Sequence, residues 1–399
     1  MIDVNEFYTK KLQVLNSVFV PSAPIEVKDI FSGRNKQIQS CLDALFQKGR
    51  HVVLYGDRGI GKTSFANIIK LILLHDHCVV KLNCDSQDTF ESLWKKVFNR
   101  IFVTYRQKQQ PIGLSSKEHN VDERISLSSL VMENGELKLN FLENGLKLAP
   151  EKLIVIFDEF DRLGESFNQM QFVDQIKNIS DNYSGITLVF VGVAENVNNL
   201  IGKHPSIERN LKQIHLPAMT YEELKNICIT GLQKAEMKME DDVIEQIVKF
   251  SCGFPHFVHL LCFNSCKSAV FEQKEEVDKR HLNLAVQQSV DETSESLREA
   301  YQKATLATKD NIFPQVLWAC SRVPEDENGT FQANDLVGIL SDILEKQIQI
   351  QGFSYHLGKL CSKERGNILV SVGPSNRKRY KFKVPLMKAF VKLKSFDKK

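Results

Sequence analysis

Long apolar runs are absent from this sequence. No stretch of the 399 residues reaches the roughly 18 consecutive apolar residues that a membrane-spanning helix needs. The opening MIDVNEFYTKKLQVL also lacks a basic region followed by an apolar core, so it does not resemble a secretory leader. We therefore expect a cytoplasmic protein without a membrane partner. Hydrophobic residues make up 42% and charged residues 25%, which is typical of a folded globular chain and argues against disorder.

Paired cysteines are lacking as well. None of the nine cysteines forms a CxxC motif, and the closest pair, Cys262 and Cys266, lies on a predicted buried helix. These cysteines are interpreted as small apolar residues in the reduced state. A structural zinc site would need four ligands at suitable spacing, and no such set can be assembled with the ten histidines. Motifs of nucleases, proteases and deaminases are also missing.

Charge is unevenly distributed along the chain. The net charge is only +3, yet residues 363–399 hold twelve Lys or Arg residues against Glu364 and Asp397. The rest of the chain is therefore acidic on balance. This asymmetry predicts an acidic body that carries a basic C-terminal module.

The first half of the chain alternates short apolar runs with helical patterns. The apolar runs are HVVLYG, CVVKLNC, KLIVIFDEF and GITLVFVGV. Runs that are apolar throughout are typical of strands covered on both faces, so they predict a parallel sheet with helices on either side. The segment DTFESLWKKVFNRIFVTY predicts one helix. Its apolar face is formed by Phe90, Leu93, Trp94, Val97 and Phe98.

The second half of the chain carries mainly helical patterns. Three helices are predicted from Thr220 onward, in YEELKNICITGLQKA, EDDVIEQIVKFSCG and FPHFVHLLCFNSCKSAV. Farther along, three more helical segments precede ILVSVGPSNRKRYKFKV, which predicts a β-hairpin. Three helices and a terminal hairpin indicate a winged helix.

A glycine-rich segment lies between the first predicted strand and the helix that follows it. It matches the pattern G-x-x-x-x-G-K-[ST], in which glycines let successive backbone N–H groups turn toward phosphates. A chance glycine-rich turn is the alternative, and the strand–loop–helix context disfavours it. Lys62 is expected to contact the β and γ phosphates, and the Thr63 hydroxyl to bind Mg²⁺. The predicted nucleotide-binding set is Gly56, Asp57, Arg58, Gly59, Ile60, Gly61, Lys62, Thr63 and Ser64.

The run IVIFDEFDRL supplies a second part of a nucleotide site. An apolar strand that ends in Asp158 can place a carboxylate near Mg²⁺, and Glu159 beside it can orient or deprotonate a water molecule. The alternative is a solvated strand end, which the position about a hundred residues after the glycine-rich loop disfavours. We therefore expect ATP hydrolysis, with Lys62, Asp158 and Glu159 as catalytic residues and Thr63 and Asp158 as magnesium ligands.

These motifs resemble those of the AAA+ ATPases, in particular the origin-recognition-like branch and the related STAND signalling ATPases. The resemblance covers roughly residues 31–399. It implies an α/β fold: a P-loop AAA+-type parallel sheet with helices on both faces, a helical lid domain and a winged-helix domain. The expected boundaries are an N-terminal arm over 1–30, the ATPase domain over 31–218 with an insertion of unknown use at about 105–148, the lid over 219–290 and the winged helix over 291–399.

The resemblance assigns further residues to the nucleotide site. FSGRNKQI is similar to the family's opening box, which implies that Phe31, Gly33 and Arg34 lie near adenine; a surface role for Arg34 stays open. Asn196 in GVAEN lies close to the position of the family's first sensor. Arg209 in SIERNLKQIHL corresponds to an arginine finger offered to a neighbouring subunit, or else to a surface arginine. Pro255 belongs to the G-x-P form typical of the STAND and archaeal-type branch, which places the proline against the base.

The predicted C-terminal hairpin carries a cluster of cations in GPSNRKRYKFK. Such a wing can contact a duplex through its phosphates, with Arg377 or Lys378 reaching into a groove. The alternative is a solvated charge run or a contact with another protein. Because the positive excess is concentrated here, double-stranded DNA is the favoured partner. The candidate DNA-binding residues are Arg377, Lys378, Arg379, Lys381 and Lys383.

Two functions are open at this point. The first is a molecular switch, with ATP and Mg²⁺ as cofactors, that forms homo-oligomers and acts on DNA, as initiator-like or transposition-regulator ATPases do. The second is a STAND-type signalling ATPase, for example in antiviral defence, that activates an effector protein. The basic wing favours the first, and the G-x-P form favours the second. A scaffold that only binds nucleotide is disfavoured because Lys62, Asp158 and Glu159 are all present. Because motifs of nucleases, proteases and deaminases are missing, any effect beyond nucleotide hydrolysis is expected to require DNA or a partner protein.

Overall fold

Two compact units make up the computed structural model of the chain. One consists of Pro24–Asp57 and Lys62–Pro217, and we call it the sheet unit. The other, the helical unit, consists of Met1–Ala23, Arg58–Gly61 and Ala218–Lys399. The structure describes residues 6–21, 23–25, 33–109, 119–133, 136–137, 140–164, 167–193, 208–292, 295–306, 312–326, 329–373, 377–384 and 386–396.

The described residues form fourteen strands and sixteen α-helices. The strands are β1 (His51–Gly56), β2 (Cys78–Asn83), β3 (Phe102–Gln109), β4 (His119–Ser126), β5 (Met132–Glu133), β6 (Glu136–Leu137), β7 (Leu153–Asp158), β8 (Ile186–Val193), β9 (Leu211–His215), β10 (Lys238–Met239), β11 (Glu276–Val277), β12 (Phe331–Gln332), β13 (Leu369–Val372) and β14 (Arg379–Phe382). The helices are α1 (Glu6–Val18), α2 (Asn35–Leu45), α3 (Lys62–Leu73), α4 (Phe90–Asn99), α5 (Leu127–Val131), α6 (Phe141–Leu148), α7 (Gln169–Asn182), α8 (Tyr221–Ala235), α9 (Asp241–Ser251), α10 (Pro255–Phe271), α11 (Lys279–Glu292), α12 (Glu295–Thr305), α13 (Phe313–Arg322), α14 (Leu336–Leu344), α15 (Ser354–Leu360) and α16 (Leu386–Phe396). Within the described ranges, none of the helices is both long and apolar enough to cross a lipid bilayer.

A five-stranded parallel sheet forms the centre of the sheet unit. Its strand order is β2-β7-β8-β1-β9, so β8 lies between β1 and β7. At the carboxyl ends, Gly56 pairs with Val193 and Asn83 pairs with Asp158. Because the strands are parallel, these ends meet at one edge of the sheet, which is where ligands of such sheets bind. The glycine-rich loop and the acidic pair therefore start from the same edge.

Aromatic rings fill the core beside β7 and β8. Phe157 stacks on Phe190 with ring centroids 5.8 Å apart and planes 8° apart. Phe172 of α7 meets Phe157 edge-on at 5.6 Å, and Trp94 of α4 meets it at 6.2 Å. Burying each of these side chains stabilises the fold by about 1.5–3 kcal/mol. The core thus fixes the end of β7, where Asp158 comes directly after Phe157.

One predicted helix is shorter than expected. The buried residues of α4 are the predicted ones, Phe90, Leu93, Trp94, Val97 and Phe98. The helix ends at Asn99, however, and the chain then forms β3, which pairs antiparallel with β4. The expected continuation of the helix to Tyr105 is therefore wrong. Val103 and Thr104 are β-branched and lose side-chain freedom in a helix, so pairing with β4 outweighs their weak helical preference.

The insertion contributes to the core of the sheet unit. Besides most of the β3–β4 hairpin it contains α5 and α6, whose Leu127 and Leu146 are buried against the main core cluster. A Cβ on Gly145 of α6 would lie 2.3 Å from the Phe98 ring. Glycine at that position is what lets α6 approach α4 so closely.

The helical unit has α1 packed into its centre. Phe19, which follows α1, is 1% exposed and lies against Gly231 of α8, where a Cβ would come within 2.3 Å of the ring. The Nδ1 atom of His259 on α10 accepts a hydrogen bond from the backbone N of Val20 at 3.3 Å. The residues after α1 therefore belong to the hydrophobic core of this unit.

The C-terminal part of the helical unit contains a small antiparallel sheet. Its strand order is β12-β14-β13, and β13 and β14 form the predicted hairpin, with Val372 opposite Arg379. Among the helices of this unit, α16 packs on α13 and on α11. The same unit thus holds the hairpin and a group of packed helices.

His51, the first residue of β1, is fully buried in the sheet unit. Its Nδ1 accepts a hydrogen bond from the backbone N of Leu188 at 3.1 Å, and its Nε2 lies 2.9 Å from Ser180 Oγ. Burial lowers the pKa of His51 to about 4, and a hydrogen bond to the Ile176 carbonyl opposes that shift. The folded protein therefore holds this ring neutral.

Acidification should destabilise the sheet unit through His51. The unfolded chain binds a proton on this ring near pH 6.5 and the folded chain only near pH 4, so stability is lost as the pH falls between these values. The full effect is about 3 kcal/mol. Urea unfolding of wild type and His51→Gln at pH 7 and pH 4.5 measures it, and the wild-type advantage should shrink at the lower pH. An advantage of equal size at both pH values would contradict the assignment.

Candidate functional site

The glycine-rich loop connects the end of β1 to the start of α3. Gly56, Gly59 and Gly61 have φ angles of 149°, 87° and 91°, which glycine adopts without the Cβ clash that other residues suffer. α3 begins at Lys62, so the positive end of its dipole lies at the loop. Loops of this kind direct backbone N–H groups toward an anion. The backbone is therefore shaped to hold phosphate.

Lys62 lies against the carbonyls of its own loop. It is 8% exposed, and its Nζ donates to the carbonyl oxygens of Gly56 at 3.0 Å and Asp57 at 2.7 Å. Burial lowers the pKa of Lys62 to about 8; the nearby carboxylates, Asp161 above all, oppose the shift, and the charge of Arg34 adds to it. Phosphate oxygens would be stronger acceptors for this ammonium than the two neutral carbonyls.

Thr63 and Asp158 come together at the carboxyl edge of the sheet. Thr63 Oγ1 donates to Asp158 Oδ1 over 3.4 Å, and the backbone N of Glu159 donates to the same oxygen at 2.9 Å. Asp158 is 2% exposed. The fold thus brings together a hydroxyl and a carboxylate that are distant in sequence, and oxygen atoms of these types are the ligands that Mg²⁺ prefers.

A lysine from the edge strand pairs with the other oxygen of Asp158. Lys81 Nζ on β2 lies 2.9 Å from Asp158 Oδ2, and the side chains of Lys81 and Asp158 are 14% and 2% exposed. The ion pair compensates a carboxylate that would otherwise be buried without a counter-charge. Lys81 was not predicted as a site residue. The available signal was a charged residue within an otherwise apolar strand.

Glu159 is held in an unusual backbone conformation and faces solvent. Its φ and ψ are 54° and 38°, in the left-handed region. Its side chain is 42% exposed, and Oε2 accepts a hydrogen bond from Arg162 Nη1 at 2.7 Å. The carboxylate predicted to activate water is therefore paired with an exposed arginine. Arg162 was not predicted either, although it lies in the same acidic run.

Asp161 links two neighbouring strands at the site. Its Oδ1 accepts a hydrogen bond from the backbone N of Val193 at the end of β8, at 2.7 Å. Its charge also favours the protonated form of Lys62. This third acid of the DEFD run was missed because the run itself does not show that it meets the end of β8.

The remaining predicted nucleotide-site residues are placed as follows. Arg34 is 3% exposed, so it is not a surface arginine, and its Nη2 donates to the Pro217 carbonyl at 2.8 Å. Ser64 Oγ accepts from the backbone N of Ile25 at 3.0 Å. Pro255 begins α10, and its Cγ lies 3.8 Å from the position of a Cβ on Gly61. Two further predicted residues, Phe31 and Asn196, lie outside the described residues.

Arg209 lies at the far end of the sheet from the glycine-rich loop. It is exposed and comes two residues before β9. Leu211, which begins β9, pairs with His51, which begins β1, whereas the loop follows the opposite end of β1 at Gly56. Arg209 is therefore not brought to the phosphate loop of its own chain.

The predicted cations of the wing fall into two groups. Arg377 and Lys378 are exposed just before β14, and Lys383 is exposed just after it. Arg379 is engaged within the unit: its Nη2 lies 3.0 Å from Asp326 Oδ2 and donates to the Thr330 carbonyl at 3.1 Å. Lys381 is half-buried on β14. The exposed positive charge is therefore concentrated on Arg377, Lys378 and Lys383.

Comparison with known proteins identifies the family. Residues 25–322 match the family described as Novel STAND NTPase 1. The chain belongs to this family. The match includes the glycine-rich loop, Asp158 and Glu159, so this STAND protein is a P-loop NTPase. No curated protein matches the chain.

Two solved structures show that the fold is shared. The Walker-type ATPase Paby2304 of Pyrococcus abyssi is 16% identical with a TM-score of 0.54, and the match covers 93% of this chain and 98% of that one. The Aeropyrum pernix ORC2 protein, solved as ADPNP-ADP complexes, is 13% identical with a TM-score of 0.51, covering 96% and 97%. The predicted α/β fold with a P-loop AAA+-type sheet is confirmed.

Proposed function

We propose that this STAND NTPase is an ATP-hydrolysing molecular switch. The observation that carries the proposal is that the buried Lys62 and Asp158 lie with Thr63 at one edge of the sheet. Thr63 Oγ1 and Asp158 Oδ1 are 3.4 Å apart. The choice of ATP is supported by the two proteins of like fold, of which one is called an ATPase and the other was solved with ADPNP and ADP. Phosphate release from ATP, and its loss in Glu159→Gln, tests the proposal.

Thr63 and Asp158 are suited to hold Mg²⁺. They offer a hydroxyl and a carboxylate oxygen side by side, and Asp158 Oδ1 is the oxygen nearer to Thr63. Mg²⁺ bound there would neutralise charge on the β and γ phosphates. Lys62 would exchange its bonds to the loop carbonyls for bonds to phosphate oxygens, because charge-assisted hydrogen bonds are stronger.

Glu159 is the proposed base for the attacking water. Its present partner is Arg162, and both side chains of this pair are largely exposed, at 42% and 59%. Exposed ion pairs are worth about 0–1 kcal/mol, so this one can open easily. The carboxylate would then be available to orient a water molecule once ATP is bound.

Arg209 supports homo-oligomerisation as part of the proposal. Because it lies at the end of the sheet away from its own phosphate loop, it would reach a nucleotide only on a neighbouring subunit. An arginine that meets the transferring phosphoryl group in this way can raise the rate about 10³- to 10⁵-fold. Hydrolysis would then depend on assembly.

The C-terminal elements are proposed to form a winged helix that contacts double-stranded DNA. Support comes from the helices α13, α14 and α15, the β12-β14-β13 sheet, and the exposed Arg377 and Lys378 at the hairpin. Arg379 is left out of the contact set because it pairs with Asp326. We keep the expected divisions at residues 30, 218 and 290 as part of the same proposal.

Neutralising Arg377 and Lys378 together should flatten the salt dependence of DNA binding. Each cation that meets a phosphate contributes about 0.9 to the slope of log affinity against log salt, so neutralising two of them should reduce the slope by about 1.8. Fluorescence anisotropy with a labelled duplex at several salt concentrations measures the slope. The matched control is Lys346→Gln, a change of an exposed cation in the same unit that does not belong to the hairpin. Equal slopes for the double variant and wild type would count against the wing.

Signalling through an effector protein is the second candidate. Family membership favours it, since STAND proteins are signalling ATPases by the resemblance given above. In that case the hairpin would contact protein instead of nucleic acid. Absence of duplex binding at low salt, together with normal ATP hydrolysis, would favour this candidate over action on DNA.

A further inference from the structure

A cationic cavity opens beside β2 in the sheet unit. Its volume is about 400 Å³, which lies within the roughly 300–1,000 Å³ range of small-molecule sites. The lining residues come from α3, β2 and the end of α4. They are Asn67, Lys70, Lys81, Leu82, Asn83, Lys96 and Arg100. Four of these seven described residues are cations and none is acidic, so the cavity favours an anion.

Neighbouring acids neutralise only part of this charge. Lys96 pairs with Asp85 at 3.0 Å and with Asp88 at 2.6 Å. Arg100 donates through Nη1 to the carbonyl of Lys81, which is a neutral acceptor. Within the described part of the chain, neither Lys70 nor Arg100 belongs to an ion pair. Both therefore present uncompensated positive charge to the cavity.

Helix ends explain some of these cations, but not all of them. Lys70 and Lys96 lie in the last turns of α3 and α4, where a cation stabilises the helix dipole by about 0.3–1 kcal/mol. That effect needs no ligand. The helix dipole does not account for Lys81, which lies on a strand. The Lys81 side chain is only 14% exposed, and it lines the cavity while pairing with Asp158.

We propose that this cavity binds a small anion carrying two or more phosphate groups, and that the bound anion competes with Asp158 for Lys81. Arg100 offers a planar fork of N–H donors and Lys70 an ammonium, which together match phosphate oxygens. Asn83 adds an amide at the exposed end of β2. The charge of the lining distinguishes the ligand from a neutral metabolite, and the volume of about 400 Å³ is large enough for a group of two or more phosphates.

Lys81 connects the cavity to the proposed magnesium site. Its Nζ is 2.9 Å from Asp158 Oδ2, so a phosphate that draws this ammonium into the cavity leaves the carboxylate without its counter-charge. The carboxylate then attracts Mg²⁺ more strongly, and the repulsion between Lys81 and the metal falls as well. This second half of the proposal rests on the proposed function. It makes the anion an activator of metal binding.

The cavity is tested by titrating inorganic pyrophosphate in a calorimeter into protein saturated with ADP, without Mg²⁺, so that the glycine-rich loop is occupied. Lys70→Gln and Arg100→Gln should each weaken pyrophosphate binding about tenfold, because each removes one charge-assisted contact. Lys48→Gln, which changes an exposed cation of the same unit outside the cavity, should bind as wild type does. No binding, or equal binding by all three variants, would overturn the site. If ADP itself does not bind, the proposed function fails, whereas the same three variants still decide the cavity.

The connection through Lys81 is tested by titrating Mg²⁺ into the ADP-bound protein. Lys81→Met should bind Mg²⁺ about tenfold more tightly than wild type, since a positive charge beside the metal is removed. Lys81→Arg keeps the charge and should stay near the wild-type affinity. Thermal unfolding of both variants checks that they fold. Weaker Mg²⁺ binding by Lys81→Met would show that Lys81 only holds Asp158 in place, and would overturn the competition.

Discussion

Replacing Lys62 with alanine should weaken ATP binding about a hundredfold or more. The ammonium is the cation of the glycine-rich loop that can meet the β and γ phosphates, and hydrogen bonds to charged groups contribute about 1.5–3 kcal/mol each. Calorimetry with the purified variant measures the affinity. Burial of the Lys62 charge, which lowers its pKa, offsets much of what its bonds to the loop carbonyls contribute to stability. Removing this side chain should therefore leave the unfolding temperature nearly unchanged.

Two further variants separate charge from loop geometry. Lys62→Met keeps the buried aliphatic chain and removes the bonds to the Gly56 and Asp57 carbonyls together with the charge. It should bind ATP as poorly as Lys62→Ala. Lys48→Ala, at an exposed position of the same unit, should bind normally. ATP affinity that stays at the wild-type level in Lys62→Met would mean that the loop does not hold phosphate.

Changing Glu159 to glutamine should slow ATP hydrolysis about 10²- to 10⁴-fold, the usual contribution of a positioned base. ATP and Mg²⁺ should still bind, because Lys62, Thr63 and Asp158 are untouched. The slow variant should also accumulate any assembly that ATP promotes. Phosphate release and light scattering with ATP measure the two effects.

Arg162→Gln provides the matched control for Glu159→Gln. Both changes remove the same ion pair, in which Arg162 Nη1 and Glu159 Oε2 are 2.7 Å apart, but only one of them removes the carboxylate. Equal slowing in both variants would show that the ion pair matters and the base does not. Arg209→Ala should also slow hydrolysis if the arginine acts on a neighbouring subunit. Normal hydrolysis by that variant, with no ATP-dependent change in light scattering for Glu159→Gln, would contradict the assembly model.

The elements that the sequence predicts well are those with local signals. The strands of KLIVIFDEF and GITLVFVGV and the glycine-rich loop depend on residues next to one another, and the observed β7 and β8 follow these runs. β9 was not predicted, because LKQIH is a short edge strand in which Lys212 is half-buried and Gln213 is exposed, so it lacks a continuous apolar run. The end of α4 at Asn99 was missed for a related reason: the partner of β3 comes ten residues later in a segment with weak periodicity.

The site residues also divide into those that a local sequence signal predicts and those that depend on distant partners. Lys62, Thr63, Asp158 and Glu159 follow from two linear motifs. Lys81 depends on the pairing of β2 with β7, which places Asn83 opposite Asp158 and brings the lysine to the same carboxylate. Arg379 shows the reverse error, because its neighbours in sequence suggest a solvated wing while Asp326, far away along the chain, takes up its charge. Such pairings are set by tertiary packing, which a single sequence does not display.

At Glu159, which has a left-handed backbone, the residue that would be best for stability differs from the residue that the proposed hydrolysis requires. With φ at 54°, this position suits glycine and, less well, asparagine, whereas most other residues cost roughly 1–2 kcal/mol there. A redesign guided by stability alone would therefore choose glycine or asparagine at 159. The more stable chain would no longer carry its acid. A gain in melting temperature is thus no evidence of improvement at this residue, and libraries selected for heat resistance should be screened for turnover as well.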